Sequence, residues 1–371
     1  MIHFESDYLE GCHPSILRKM EETNLEQTTG YGTDPHCERA AAMIRIACDA
    51  PDAEIHFLVG GTQTNATVIN AILKPWQGVI CAETGHISVH ETGAIEHGGH
   101  KVLPLPSRDG KISAAQVRAA LEGHWQDANH EHMVQPGMVY ISFPTELGTL
   151  YGREELEELS AVCRDWELPL YIDGARLGYG LESSHSRLLL KDIARLADVF
   201  TIGGTKQGAL FGEAVVFPRE GEGKDGGPVP TFDRYRTVGT GKRAPGLAHD
   251  FRYAIKQNGG MLAKGRLLGI QFETLMEDRL YFRLARQADH FAERIAAAFR
   301  EAGVELLLDG GTNQVFPILD SAQVDRLAQE FGFEYWTRTP DGRDAWRFCT
   351  SWATTDAQVD SLIAALQNIQ E

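Results

Sequence analysis

Between Glu54 and Phe217, short and almost wholly apolar runs alternate with longer amphipathic ones. The short runs are EIHFLV (Glu54–Val59), GVICAE (Gly78–Glu83), HKVLPLP (His100–Pro106), MVYISFP (Met138–Pro144), LPLYID (Leu168–Asp173), VFTIGG (Val199–Gly204) and EAVVFP (Glu213–Pro218). Runs so short and so continuously apolar predict strands covered on both faces. Between them, REELEELSAVCRDWE (Arg153–Glu167) sets Leu156, Leu159 and Cys163 three and four residues apart, with acids in the first turn. That spacing predicts an amphipathic helix. Strand–helix alternation of this kind predicts an α/β fold with a mostly parallel sheet and helices on both sides.

Beyond the last run the pattern changes. REGEGKDGGPVPTF (Arg219–Phe232) is rich in Gly, Pro and charge and predicts an exposed loop. A long helical region is expected from about Ala248 to Gly303, with LARQADHFAERIAAAFREAG as its clearest amphipathic part. VELLLD, QVFPILD and AWRFCTS then read as short strands, and TDAQVDSLIAALQNI as a final helix. This half predicts a smaller α+β domain. The chain is accordingly divided into an N-terminal arm (1–15), a large domain (16–250) and a small C-terminal domain (251–371).

Composition narrows the function. The 371 residues suit about two domains at roughly 150 residues each. A formal net charge of −17 leaves no cationic excess to neutralise phosphates, which argues against nucleic acid as a partner. Any anionic cofactor must therefore be held by local donors. The six cysteines are scattered, with no CxxC pair, so neither a zinc site nor a disulfide framework is expected. Reduced thiols fit the cytoplasm. MIHFESDYLEG has no basic stretch leading into an apolar one, and no apolar run reaches the roughly 18 residues that span a bilayer. A membrane is not an expected partner.

Polar or reactive residues follow the carboxyl ends of several predicted strands, where open α/β sheets bind ligands. GGTQTNA (Gly60–Ala66) opens an apolar helix. Its glycines allow close backbone approach, and Thr62 and Gln63 offer donors at a helix N-terminus, which suits a phosphate. An ordinary tight strand–helix turn explains the same residues. In YIDGARLG (Tyr171–Gly178), Asp173 closes a strand and can keep a pyridine nitrogen protonated. Arg176 can take a phenolate or a carboxylate. A helix-capping Asp beside a surface Arg is the plainer alternative. In TIGGTKQGALFGEAVVF (Thr201–Phe217), Lys206 sits in a Gly-rich loop between two apolar runs. Such a lysine is expected to have a lowered pKa suited to a Schiff base, although a snorkelling surface lysine fits the loop too. In ETGHISVHETGA (Glu83–Ala94), His86 could stack on a cofactor ring or act as a base, or be structural. His90, His97 and His100 are given no role. The histidines make no HExxH pattern, so no metal is expected.

Taken in order, SD (Ser6–Asp7), YGTDP (Tyr31–Pro35), GGTQTNA, GHISVHETGA, DGARLG, GGTKQGA and WRFCTS resemble the threonine aldolase / β-eliminating lyase family of fold-type I enzymes dependent on pyridoxal 5'-phosphate (PLP). The resemblance runs along nearly the whole chain. It implies an aspartate aminotransferase-like large domain with a smaller α+β C-terminal domain. It also implies a cytoplasmic homodimer or homotetramer with its active site at the subunit interface, and an amino acid as substrate. Lys206 would carry the cofactor as a Schiff base, Asp173 pair with the pyridine nitrogen, and His86 stack on the ring and move a proton. Gly61, Thr62 and Gln63 would hold the phosphate. Arg176 would lie near the ring oxygen and the substrate carboxylate, which Ser6 and Arg347 would grip. Tyr31, toward the substrate, and Lys256, toward the cofactor, match positions contributed by a neighbouring subunit. The implied reaction is cleavage of Cα–Cβ in a β-hydroxy-α-amino acid to glycine and an aldehyde.

Two departures from the family pattern stand out. Threonine aldolases typically carry a histidine after the strand corresponding to MVYISFP, where this chain has Thr145 and Glu146. That pattern is more similar to the branch that includes phenylserine aldolase. Glu146, or a bound water, then stands behind His86 as a candidate base for the β-hydroxyl. The Arg219–His249 stretch is also longer than the usual form. The alternatives left open are a PLP-dependent β-eliminating lyase, aminotransferase or racemase, since fold does not choose among them. A non-catalytic α/β protein holding a phosphorylated ligand at Gly60–Thr62 is a further one. A Rossmann dehydrogenase is disfavoured, because no GxGxxG follows the first strands.

Overall fold

Successive side chains of a strand point to opposite faces of its sheet, and the central strands use both faces for apolar contact. Val139, Ile141, Ile172, Phe200, Ile202 and Val216 fill one core, and Met138, Tyr140, Tyr171, Val199, Val215 and Phe217 fill another. A computed structural model shows this arrangement and describes residues 1–218, 247–367 and 369. The predicted Arg219–Phe232 loop and most of the lengthened Arg219–His249 stretch lie outside the described residues.

After a two-residue strand β1 (Ile2–His3), the large sheet is built from β2 (Glu54–Leu58), β3 (Gln77–Ala82), β4 (Lys101–Leu105), β5 (Gln135–Ser142), β6 (Leu170–Asp173), β7 (Val199–Gly203) and β8 (Glu213–Phe217). Their order is β2-β8-β7-β6-β5-β3-β4. The run from β4 to β7 is parallel, while β8 is antiparallel to both β7 and β2. The sheet is thus mostly parallel, as expected, with one reversed strand next to the β2 edge. Full cover on both faces holds for the inner strands and fails at the edges. Lys101 and Pro104 of β4 are exposed, and Glu54, Ile55 and Phe57 of β2 are partly so. An edge strand has a neighbour on one side only, so an apolar run of that length does not by itself reveal an edge.

One face of the sheet is covered by helices Pro35–Cys48, Arg153–Asp165 and Leu190–Leu196, joined by Phe272 and Leu275 of helix Arg266–Met276. The other is covered by Val68 and Ile69 of helix Gly61–Ile72 and by Phe251 and Ile255. The helical region after Ala248 is divided into Phe251–Gln257, Arg266–Met276 and Leu280–Glu301. Asp278 and Arg279, at φ 49° and 57°, turn the chain sharply before the last of these. Helix Leu280–Glu301 begins against the sheet (Leu280, Tyr281, Leu284) and ends in a third core (Phe291, Ile295, Phe299).

That third core belongs to the small α+β unit, with β9 (Gln314–Val315), β10 (Phe331–Gly332), β11 (Glu334–Arg338), β12 (Asp344–Cys349) and a final helix Asp356–Leu366. The final helix opens on a capping box between Thr355 and Gln358. VELLLD forms no strand, and only Leu306 bridges Pro317. The N-terminal segment enters this unit: Ile2 and His3 pair with Phe331 and Gly332, and Phe4 is buried in its core. No helix among the described residues is long and apolar enough to cross a membrane.

Candidate active site

β5, β6 and β7 end side by side, and the side chains just past their carboxyl ends meet there. Ser142 pairs in register with Asp173. Asp173 is buried and accepts three hydrogen bonds: from Tyr140 Oη (2.6 Å) and Asn65 Nδ2 (2.9 Å) at Oδ2, and from the Ala175 amide (2.9 Å) at Oδ1. A carboxylate has about four acceptor positions, so one remains for a further donor. Burial works to raise its pKa, but the neighbouring His86 charge and these hydrogen bonds outweigh it and hold Asp173 below the ordinary carboxylate value.

Asn65 extends this group toward His86. Its Nδ2 also donates to Glu91 Oε1 (2.7 Å), and its Oδ1 accepts from Tyr171 Oη (2.5 Å). The same Glu91 oxygen bonds His86 Nδ1 (2.7 Å). His86 opens the short helix His86–Val89, and its backbone amide donates to Glu146 Oε1 (2.8 Å). Ser142 Oγ donates to that oxygen as well. Glu146 is therefore a buried anchor for the start of this helix, and burial pushes its pKa up against the Ser142 hydrogen bond. Thr145 is turned into its own loop, with Oγ1 2.7 Å from Thr149 Oγ1.

Lys206 lies in the tight connection from β7 to β8. Its carbonyl is fixed by Tyr179 Oη (2.6 Å), and Gly208, at φ 99°, takes a backbone conformation that favours glycine. The Lys206 ammonium has no hydrogen bond or ion pair with a described residue. Burial and the Arg176 charge lower its pKa, while Asp7, Asp173 and Glu213 oppose them. Glu213, at the start of β8, is itself pushed up to about 8 by burial, with Lys206 pulling the other way. Its Oε1 accepts from Thr205 Oγ1 (3.0 Å).

Helix Gly61–Ile72 starts at Gly60 with no side-chain cap. The first helical bond runs from the Thr64 amide to the Gly60 carbonyl, so the amides of Gly61, Thr62 and Gln63 point out of the helix end. A Cβ placed on Gly60 or Gly61 would meet nothing within 4 Å. Space is thus open in front of the amides. The Gln63 side chain is used elsewhere: Nε2 donates to the Asn258 carbonyl (3.0 Å).

Arg176 clasps Asp7 with Nε to Oδ2 (2.6 Å) and Nη2 to Oδ1 (2.9 Å), and Asn313 Nδ2 donates to the same Asp7 (2.9 Å). The arm, the large sheet and the small unit are tied at this point. Beside it, Ser6 Oγ and Arg347 Nε are buried without partners among the described residues. Arg347 Nη2 donates to the Glu5 carbonyl (2.9 Å) and pairs with Glu334. Its guanidinium lies over Trp336 (4.8 Å), whose ring meets His90 at 5.9 Å, and His90 is 5.5 Å from His86.

The expected residues therefore fall into two groups. Lys206, Asp173, His86, Glu146, Arg176, Ser6, Arg347 and the Gly61–Gln63 amides gather at the carboxyl edge of the sheet and the small unit facing it. Tyr31 and Lys256 instead meet each other, the Lys256 ammonium lying 4.7 Å from the Tyr31 ring centroid. No hydrogen bond or ion pair among the described residues joins them to the first group. Sequence reasoning missed Asp7, Asn65, Glu91, Tyr140 and Asn313, and gave no role to His90. His90 stands one helical turn after His86, the one local signal that pointed to it.

Known proteins carry the same architecture. The beta-eliminating lyase family matches residues 3–355. A low-specificity L-threonine aldolase of a Pseudomonas species is 31% identical over 373 aligned residues, which cover 99% of this chain and 97% of that one. The low-specificity L-threonine aldolase of Pseudomonas aeruginosa is 31% identical over 97% of this chain and 95% of its own. The solved threonine aldolase of Leishmania major superposes with a TM-score of 0.89 at 40% identity, with both chains fully covered. Aspartate aminotransferase of Thermus thermophilus, at 12% identity and a TM-score of 0.68, shares the fold. On its sequence match and its fold together, the chain is an enzyme of the threonine aldolase / beta-eliminating lyase family.

Proposed function

We propose that this enzyme uses PLP to cleave β-hydroxy-α-amino acids between Cα and Cβ, releasing glycine and an aldehyde. The observation that carries the reading is the placement of Lys206. Its amine has no partner among the described residues, lies in reach of the Asp173 and Asp7 charges, and shares the sheet edge with an uncapped helix N-terminus.

The residues present fit the cofactor. The Gly61, Thr62 and Gln63 amides face open space and would take the phosphate, with the helix dipole favouring its charge. Gln63 serves through its backbone, since its side chain is bound to Asn258. Asp173 has an acceptor position left for the pyridine N–H, and Lys206 would bind the aldehyde. Bound there, PLP supplies an electron sink for the substrate's α-carbon. His86 is held by Glu91 as the ring-stacking residue. Ser6 Oγ and Arg347 Nε, two buried donors without partners among the described residues, fit the substrate carboxylate. Arg176, spent on Asp7 through two of its nitrogens, sets the charge around Lys206 and keeps its remaining nitrogen for the ring oxygen or the carboxylate. Glu146 positions the helix that carries His86.

The Tyr31–Lys256 pair supports a homodimer or homotetramer in which these residues serve a neighbouring subunit's site. Six free, buried cysteines suit a reducing cytoplasm. The packing favours a small domain whose own core starts inside helix Leu280–Glu301, because Phe251, Phe272 and Tyr281 pack against the large sheet.

The test is an absorbance spectrum of the protein with PLP before and after borohydride, with mass mapping of the reduced adduct, then assay of L-threonine. A visible band abolished by borohydride, an adduct on Lys206, and glycine with acetaldehyde are the expected results. 2-Oxobutanoate with ammonia would replace this reading by β-elimination, and no adduct would replace it by ligand binding alone.

A further inference from the structure

The aromatic contacts form a wall from the small unit to the sheet edge: Arg347 on Trp336, Trp336 beside His90, His90 beside His86. One end of the wall has the buried guanidinium that suits a carboxylate. The other has the imidazole held by Glu91. His90 stands between them in this line of contacts, beside an amino acid that would span the two ends.

Three other polar atoms near this wall are already engaged. His86 Nδ1 is bonded to Glu91, Glu146 Oε1 to Ser142 and the His86 amide, and Thr145 Oγ1 to Thr149. The His90 imidazole makes no hydrogen bond with a described residue, and it is exposed to an incoming molecule. We infer that His90 is a catalytic residue, the general base that takes the proton of the substrate's β-hydroxyl. This rests on the aldolase reading above and goes beyond it, because it assigns the proton to a residue on the wall between carboxylate and ring.

The step balances as follows. The β-hydroxyl O–H proton moves to a ring nitrogen of His90. The oxygen electrons form the aldehyde C=O, and the Cα–Cβ pair stays with the α-carbon. The α-carbon later takes up one proton, so glycine and aldehyde together contain the atoms of the substrate and nothing is oxidised. The groups facing His90 are suited to this role. The groups packed around the ring, which take it partly out of water, and then the charges of His86, Arg347 and Lys206 favour its neutral, proton-accepting form, against the opposing charge of Glu334.

The test compares two reactions of the PLP-loaded enzyme, wild type and His90→Asn. One is cleavage of L-threonine; the other is exchange of the glycine α-proton with D2O, which has no β-hydroxyl. General-base help is typically worth about 10²–10⁴-fold. Cleavage should therefore fall at least about 100-fold further than exchange. A second readout does not depend on turnover. Diethyl pyrocarbonate should label His90 in Lys206→Ala protein, by peptide mass mapping, and PLP with L-threonine should protect it where PLP with glycine does not. Equal losses in both reactions, or equal protection by both amino acids, would overturn the inference while the aldolase reading stands. Wild-type protein that exchanges glycine but releases no aldehyde would overturn the reading itself, and the inference with it.

Discussion

Arg176 and Asp7, 169 positions apart in sequence, are joined by two parallel hydrogen bonds in the interior. Asp7 is fully buried and holds a charge, because burial, which raises its pKa, is outweighed by Arg176, Lys206 and the Asn313 amide. Breaking a buried pair by removing one partner typically costs about 3–5 kcal/mol, since the other charge is left uncompensated. Asp7→Ala should lower the urea midpoint accordingly. It should also loosen the arm from the small unit, read as faster proteolysis of the first dozen or so residues. Stability within about 0.5 kcal/mol of wild type would mean that the pair is solvated in solution.

Asn65→Ala tests the support of Asp173. The variant removes one of three hydrogen bonds to that carboxylate and the link to Glu91. A hydrogen bond to a charged group contributes about 1.5–3 kcal/mol, which corresponds to roughly a 10- to 100-fold loss in kcat if Asp173 acts on the cofactor ring. KM should move little, because Asn65 faces Asp173 and Glu91. Tyr140→Phe should show a smaller loss of the same kind. A rise in KM at unchanged kcat would place Asn65 in substrate binding instead.

Gly174, between Asp173 and Ala175, explains a letter of the DGAR motif that the sequence left unread. A Cβ there would stand 2.0 Å from the Thr201 carbonyl oxygen of β7. The turn that presents Asp173 and Arg176 is therefore pressed against the next strand, where only hydrogen fits. Gly174→Ala should destabilise by about 1–3 kcal/mol as an overpacking change. It should also reduce PLP affinity more than a remote variant of equal stability does. Matching affinity at matched stability would show that the backbone relaxes without moving the site.

Much of the site could be read from the chain because parallel strands deliver their C-terminal residues to one edge. Asp173 closes LYID and Lys206 follows VFTIG, so local pattern alone placed both at that edge. Asn65 and Glu91 were not legible. Each looks like an ordinary polar residue in a turn-rich stretch. Their importance appears only when helix Gly61–Ile72 and the residues after Val89 are brought together against β6. The same holds for Asp7, whose partner lies 169 positions away in the sequence. Edges were misread for a related reason: the apolar content of β2 and β4 reports strand character, whereas cover depends on neighbours the sequence does not name.

Asp289, on helix Leu280–Glu301, is buried, and no side chain among the described residues donates to its carboxyl oxygens. Burial, reinforced by the charges of Glu293 and Glu182, outweighs the nearby Asn313 backbone amide and pushes its pKa well above the ordinary carboxylate value. The folded protein then holds a proton that the unfolded chain releases near its ordinary value of about 3.9. Between the two values the folded state binds more protons, so stability falls as pH rises. The contribution is full below the unfolded pKa and is lost on the way up to the folded one. Asp289→Asn has no proton to release. It should therefore gain on wild type by about 1.4 kcal/mol per pH unit from roughly pH 4 up to the folded pKa. Urea midpoints at pH 5, 6 and 7 check this. A gap between variant and wild type that widens steadily with pH is expected. A constant gap would mean that Asp289 is ionised in the native protein and finds a cation or water that neutralises it.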